Sequence, residues 1–281
     1  MRIIEIVILI VVTILPFLKR KILLHIAPKF LFIAIGLLIV LHLWIDGWRW
    51  QMTPAYSLVL LLVWRVHKAD PVNPPKLSFV RIIGFIGILI LLIPGWILPQ
   101  ILPVFSLPKP QGPYAVGSEL IYHQTTLDET ITKNANDKRE LLYKIWYPSH
   151  QDVSSMRGEP YVDEGSRIGF ATKYGLPPKA LNYLDHVRTY SYPDIQIAEG
   201  SFPVLLFSHG YGSKATGYYA LLSEVASQGY IIINMNHTYE SLGVTYPDGR
   251  IASFDFSFQQ EISSGSMEVV QPLIEAFKES S

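Results

Sequence analysis

The order of apolar and polar residues divides the chain into two unlike parts. Through residue 105 long apolar stretches dominate, whereas from residue 106 onward short apolar runs alternate with charges, turn residues and tyrosines. The first part contains four apolar stretches: Ile3–Leu18, Phe30–Ile45, Trp50–Trp64 and Ile82–Phe105. A membrane-spanning helix needs about 17–25 mostly apolar residues. The pattern therefore predicts four transmembrane helices in residues 1–105, or three if the short third stretch, which contains Pro54, does not span.

The charges between these stretches predict an orientation. The first and third connecting segments carry four basic residues each, and the second carries one. They are Lys19, Arg20, Lys21 and Lys29; Arg65, Lys68, Lys76 and Arg81; and Arg49. Because basic loops stay in the cytoplasm, four spans would place everything after Phe105 outside it. A polar group next to the second segment, with His42, Gln51 and Asp46 beside Arg49, is interpreted as an interfacial stretch that meets headgroups and water.

The second part of the chain begins with a proline-rich connector and continues as a mixed α/β pattern. Residues 106–118 form the predicted linker, and residues 119–281 the predicted domain. Two strands, Glu119–Leu127 and Arg139–Tyr147, are predicted to pair as a hairpin. Residues 148–201 contain many glycines and prolines and are predicted to be irregular. A helix over Met267–Lys278 is also predicted.

A βαβ unit is predicted downstream of residue 201. Val204–Phe207 is a continuous apolar run, typical of a strand covered on both faces. Helical spacing follows over Thr216–Gln228, with Gly229 at the position of a C-terminal cap, and Tyr230–Met235 is the next strand. Strand, helix and strand within this length indicate a mostly parallel sheet.

Composition narrows the classes of function. Lys plus Arg and Asp plus Glu both number 23, so no basic surface points to nucleic acid. The chain has no cysteine, which excludes disulfides and thiol chemistry. No group of His, Asp and Glu has the spacing of metal ligands. We therefore predict neither a metal nor a cofactor.

Four stretches of the second part resemble one enzyme family. They are Gly112–Gly117, Lys144–Pro148, Phe202–Gly212 (FPVLLFSHGYG), and Ala226–Tyr230 leading to His237. In this order they resemble the platelet-activating factor acetylhydrolase family of α/β-hydrolases, over about residues 110–250. The apolar N-terminal part resembles only membrane-anchored bacterial relatives. The resemblance implies hydrolysis of a carboxylic ester, with a phospholipid-like substrate and membrane lipid as partners, at the outer side of a cell membrane.

The resemblance also assigns roles to residues. Serine attack, a histidine base and an orienting aspartate are expected, and the backbone N–H of Tyr211 matches a donor of the oxyanion hole. The serine should lie in a Gly-x-Ser-x-Gly turn, yet no serine of these 281 residues has glycine at both flanking positions. Ser208 lacks the preceding glycine, and its neighbour His209 cannot face it from the same strand end.

The remaining candidates have structural alternatives. His209 and His237 are assigned to a substrate pocket or to a structural role, and Asp248 to a Pro-Asp-Gly turn. The nucleophile, acid and base are expected beyond Ser281, so the α/β-hydrolase domain would be incomplete, with its C-terminal strands missing. Two functions follow: a membrane-anchored serine esterase whose chain here is inactive alone, or a non-enzymatic membrane protein whose truncated hydrolase-like module binds a lipid or a partner.

Overall fold

The computed structural model describes residues 2–17, 28–67, 79–132, 134, 136–265 and 271. They form two compact units, Met1–Ser106 and Leu107–Ser281. The predicted helix over 267–278 lies outside the described residues except for Gln271. Each unit is described by itself.

The N-terminal unit is helical. Its α-helices are α1 (Ile3–Ile14), α2 (Pro28–Ile45), α3 (Thr53–His67) and α4 (Phe79–Ile101). Short 3₁₀ turns cover Leu15–Phe17 and Trp50–Met52. Buried aliphatic side chains from all four helices form one core, which includes Ile8, Leu9, Ile35, Leu58 and Ile88.

The prediction of three or four transmembrane helices is wrong. In the described part of the chain, one helix is long and apolar enough to cross a membrane, Ile83–Ile101, with a mean hydropathy of 2.0. Two shorter apolar helical segments are Ile3–Ile14, which is α1, and Ile33–Ile45, which is part of α2. The first apolar stretch continues to Leu18, but its α-helix ends at Ile14 and gives way to a 3₁₀ turn around Pro16. The first apolar stretch is therefore longer than the α-helix it contains.

The polar group near the second connecting segment is buried, contrary to the predicted contact with water. Glu5, His42 and Gln51 are fully buried, and Arg49 is 2% exposed. Arg49 Nε lies 2.8 Å from Glu5 Oε1, and His42 Nδ1 lies 2.9 Å from the hydroxyl of Tyr56. Apolar periodicity did not indicate this network because its members are far apart in sequence and meet only in the packed unit.

The C-terminal unit is built on a five-stranded mixed sheet. Its strands are β1 (Ala115–Asp128), β2 (Lys138–Ser149), β3 (Ser191–Pro193), β4 (Val204–Ser208) and β5 (Ile231–His237), in the order β3-β1-β2-β5-β4. β1 with β2 and β2 with β5 are antiparallel; β1 with β3 and β4 with β5 are parallel. A small hairpin joins β6 (Gly243–Thr245) to β7 (Ile251–Ser253).

The prediction of a mostly parallel sheet is also wrong. The predicted β1–β2 hairpin is present, but β2 also pairs antiparallel with β5, so two of the four strand contacts are antiparallel. The parallel β4–β5 pair is joined through a 3₁₀ turn and α6 (Tyr219–Ser227), and Gly229 follows with a positive φ of 97°. The spacing predicted the βαβ unit but not the direction of the strand beside it.

The central strands of the sheet are covered on one face by α6. Trp146 of β2 is fully buried and packs edge-on against Tyr219 of α6, with ring centroids 6.0 Å apart. The cluster around them is apolar and consists of Val116, Leu222, Ala226 and Ile232. Burial of these side chains fixes α6 on one face of the sheet.

β4 lies at the edge of the described sheet, and one of its faces is open. Val204 is 57% exposed and Leu206 is 77% exposed. The prediction that the run is covered on both faces therefore fails within the described residues. A short apolar run is compatible with either position, because its sequence does not encode how many neighbours the strand has.

The segment predicted as irregular contains α5 (Glu164–Lys173). Asp163 caps its N-terminus by accepting a hydrogen bond from the N–H of Ser166, 3.0 Å away. A Cβ at Gly165 would overlap the backbone of Val244, and one at Gly169 would overlap the carbonyl of Leu242. Gly165, which suggested a loop, and Gly169 together let the helix lie directly on β6. The final helix described is α7 (Phe256–Ser263).

Candidate functional site

The loop that follows β4 is a tight turn held by backbone hydrogen bonds. The N–H of Ser213 donates to the carbonyl of Gly210 over 3.0 Å, and the N–H of Gly212 donates to the carbonyl of Glu240 over 2.9 Å. Gly212 has a φ of 69°, in the left-handed region that favours glycine. A side chain at position 212 would strain the turn, which explains the second glycine of the Gly-Tyr-Gly sequence.

Tyr211 lies at the tip of this turn with its amide unpaired. Among the described residues, its backbone N–H has no hydrogen-bond partner. The side chain is 48% exposed and packs edge-on against Phe254, with centroids 5.6 Å apart. An N–H without a protein partner in a turn at the end of a strand can donate to an oxygen of a bound molecule. The oxyanion role of this N–H stays a prediction.

Ser208 and His237 form a hydrogen-bonded pair that the sequence interpretation missed. Ser208 ends β4, His237 ends the adjacent parallel strand β5, and Ser208 lies beside Met235 in the register. Ser208 Oγ is 2.7 Å from His237 Nε2. The sequence weighed Ser208 only against its neighbour His209. The carboxyl ends of adjacent parallel strands lie next to each other. This rule could have predicted that His237, at the end of β5, lies close to Ser208.

His209 has backbone partners on both ring nitrogens. Its Nδ1 lies 2.9 Å from the carbonyl oxygen of Gly210, and its Nε2 lies 3.4 Å from the backbone nitrogen of His237. A carbonyl accepts and an N–H donates, so these contacts assign the proton to Nδ1. The residue is 6% exposed. His209 therefore ties the loop to β5, and its predicted place in a substrate pocket stays a prediction.

The environment of His237 favours the neutral imidazole. Burial and the nearby ring of His209, whose centroid is 5.2 Å away, lower the pKa of His237 below its usual value. A neutral Nε2 can accept the Ser208 hydroxyl proton. Across the described part of the chain, however, no carboxylate is hydrogen-bonded to His237, so the pair lacks the orienting group of a catalytic triad.

The contacts of Asp248 place it in the predicted turn. Asp248 Oδ1 accepts from the N–H of Arg250 at 2.9 Å, and the N–H of Gly249 donates to Tyr246. The turn role of Asp248 is therefore confirmed. In the ranges that the structure describes, no group of three or more His, Asp or Glu side chains could hold a metal ion.

Comparison with known proteins identifies the family of this fold and loop. Residues 102–253 match the family model described as platelet-activating factor acetylhydrolase, isoform II. The chain belongs to this family. The match includes the β1–β2 hairpin, β4, the Gly-Tyr-Gly turn and both members of the Ser208–His237 pair. The resemblance seen in the sequence is thus confirmed.

Individual relatives agree with the family assignment. The platelet-activating factor acetylhydrolase of Canis lupus familiaris is 25% identical over 185 residues, which cover 58% of this chain and 36% of that protein. The Cavia porcellus enzyme of the same name is 27% identical over 146 residues, 50% of this chain and 31% of that protein. The chain thus spans about a third of these relatives. A ferulic acid esterase from Streptomyces cinnamoneus aligns with a TM-score of 0.44 and 26% identity, over 53% of this chain and 41% of that structure.

Proposed function

We propose that this chain supplies the oxyanion-binding side of a carboxylic-ester hydrolase site for a phospholipid-like ester. The observation that carries the proposal is the N–H of Tyr211, which has no hydrogen-bond partner among the described residues, at the tip of a hydrogen-bonded turn in a chain of the acetylhydrolase family. Such a donor stabilises the negative oxygen that develops on an ester carbonyl during acyl transfer. The names of the relatives support an acetyl ester of a phospholipid as the substrate class.

We further propose that these 281 residues alone do not turn over esters. The sequence contains no Gly-x-Ser-x-Gly turn, and the Ser208–His237 pair has no carboxylate partner among the described residues. A serine without an oriented base is a weak nucleophile. The purified chain should hydrolyse a short-chain aryl ester no faster than the S208A variant does. Turnover that disappears in S208A would make Ser208 the nucleophile and would overturn this part of the proposal.

The oxyanion role can be tested by binding, without turnover. The amide signal of Tyr211 in an NMR spectrum should move when a short-chain acetyl phospholipid is added. The matched ether analogue, which lacks the carbonyl, should leave that signal in place. Equal responses to both ligands would contradict the oxyanion role. They would favour the second candidate, a lipid- or partner-binding module without catalysis, which the missing Gly-x-Ser-x-Gly turn supports.

We also propose that the protein is attached to a cell membrane through α4, with the C-terminal unit outside the cytoplasm. Ile83–Ile101 is apolar and only 17% of it is buried, which suits contact with lipid. Basic residues precede the apolar span Ile83–Ile101 in the sequence, including Lys76 and Arg81. Because the chain has no cysteine, the variants S201C and S78C give single labelling sites. A membrane-impermeant maleimide added to intact cells should label S201C and not S78C; the reverse pattern would contradict the orientation.

A further inference from the structure

The C-terminal unit contains a cavity of about 330 Å³ that does not include the Ser208–His237 pair or Tyr211. It lies against one face of β1, β2 and β5, below α5 and β6. Much of its lining is apolar: Leu120, Leu142, Trp146, Tyr161, Tyr219 and Val244. Its volume is at the lower end of the range for small-molecule sites.

Several charged groups in the lining already have ion-pair or hydrogen-bond partners. Lys144 Nζ lies 2.6 Å from Glu159 Oε2, and Arg167 Nη1 lies 3.0 Å from Asp185 Oδ2. Asp163 accepts hydrogen bonds from the amide and hydroxyl groups of two residues, Ser166 and Thr245. Glu164 is exposed on the first turn of α5.

Lys214 is the exception. No hydrogen bond or ion pair engages its ammonium group within the described residues. Its nitrogen lies 4.7 Å from the centre of the Tyr161 ring, a cation–π contact. Burial lowers the pKa of Lys214 to about 8, although the charge of Asp163 acts in the opposite direction. A buried ammonium group without a hydrogen-bonded or ion-paired partner would be stabilised by an anionic ligand.

We propose that this cavity binds a small organic monocarboxylate, whose carboxylate pairs with Lys214 and whose apolar body lies against the aromatic and aliphatic lining. The ammonium of Lys214 carries one charge and has no hydrogen-bond or ion-pair partner among the described residues, so a monoanion fits it better than a phosphate dianion. A cation in the same place would meet the positive charge of Lys214. The apolar walls suit a short aliphatic or aromatic acid. The binding is non-covalent and requires no catalytic step.

Benzoate is a suitable probe for the purified full chain, measured by titration calorimetry. Its affinity should fall about tenfold in the variant K214M and should be largely restored in K214R, because an ion pair to a carboxylate is worth at least this factor. K173M is the matched control. Lys173 also carries a cation–π contact, with Phe254 at 5.9 Å, but does not line the cavity. This control should bind benzoate normally.

Two measurements on the unchanged protein keep the proposal falsifiable even if K214M does not fold. Benzoate should bind more tightly at about pH 6.5 than at about pH 9.5, since the amine loses its charge on passing through its pKa. Benzamide, which has the same shape without the charge, should bind at least about tenfold more weakly than benzoate. Absence of benzoate binding, equal binding of benzamide, or undiminished binding by folded K214M would each overturn the proposal.

Discussion

Each compact unit contains a glutamate held by two nitrogens of an arginine, and the two pairs differ in their surroundings. In the N-terminal unit, Arg49 Nε and Nη2 lie 2.8 Å and 2.9 Å from the carboxylate of Glu5. In the C-terminal unit, Arg250 Nη2 and Nη1 lie 2.9 Å and 3.3 Å from that of Glu140. The chemical groups are the same, and both pairs have two short nitrogen–oxygen contacts.

Burial separates the two pairs. The side chains of Glu5 and Arg49 are both 0% exposed, whereas the Arg250 side chain is 55% exposed beside a Glu140 side chain that is 10% exposed. Removal of one member of a buried pair leaves an uncompensated charge in the interior, while water can replace a lost partner at the surface. The comparison shows that the energetic importance of a pair depends on what surrounds it.

The largest effect is expected from R49M. This change leaves the carboxylate of Glu5 buried and without its bidentate partner, which should destabilise the N-terminal unit by about 3–5 kcal/mol. The loss should appear as faster amide hydrogen exchange in α1 and α4 of the detergent-solubilised chain. Slow exchange retained at wild-type rates would mean that the Glu5–Arg49 pair is solvated in the protein.

The matched control is the double variant E5L/R49M. Replacement of both charges by apolar side chains of similar size is often close to neutral, because no buried charge remains. The double variant should therefore recover most of the protection that R49M loses. Failure to recover it would indicate that the shape of the pair, or its contacts with His42 and Leu102, matters more than charge.

The sequence predicted the features that depend on neighbouring residues, and it did not predict the contacts between residues far apart in the chain. Local patterns predicted the β1–β2 hairpin, the βαβ unit and the turn at Asp248, since each depends on residues close together in the chain. The buried Glu5–Arg49 contact joins residues 44 positions apart, and Ser208 meets His237 across 29 positions. Such contacts are set by packing and strand register, which apolar periodicity does not encode.

Glycine and apolar runs had a further ambiguity. Gly165 suggested a loop, but together with Gly169 it permits close packing of α5 on β6. The apolar run of β4 suggested a strand covered on both faces, but Leu206 is exposed. In each case the residue type is compatible with both structures, a loop or a closely packed helix for glycine and a covered or an exposed strand for the apolar run. Residues distant in sequence determine which of the two forms.

A smaller effect is expected from Y122F. The hydroxyl of Tyr122 donates to Glu140 Oε1 over 2.6 Å, and a hydrogen bond to a charged acceptor contributes about 1.5 kcal/mol at the lower end of its range. Because Arg250 still neutralises the carboxylate, the loss should stay well below that of R49M. Hydrogen exchange of β1 and β2 would measure it. A loss as large as that of R49M would remove the distinction between the two pairs.

Acid should weaken the partly exposed pair in a defined direction. Burial alone would raise the pKa of Glu140, but the hydrogen bonds from Arg250 and Tyr122 hold it below the usual value of 4.5. A lowered pKa means that the stabilisation is present above pH 4.5 and is lost as the pH falls through the folded-state pKa. E140Q, which cannot ionise, should show a shallower acid loss in unfolding experiments, by less than the Y122F effect. An identical acid profile would show that Glu140 does not contribute.

The smallest effect is expected from R250M. The Arg250 side chain is 55% exposed and also contacts Asp248, whose side chain is 52% exposed, so water can solvate Asp248, while Tyr122 still donates a hydrogen bond to the Glu140 carboxylate. The cost should be at most about 1 kcal/mol. Salt screens such exposed charges, so the difference between R250M and the unchanged protein should shrink at high ionic strength, whereas that for R49M should persist. A salt-independent loss of several kcal/mol in R250M would place the Glu140–Arg250 pair in the same class as the buried one.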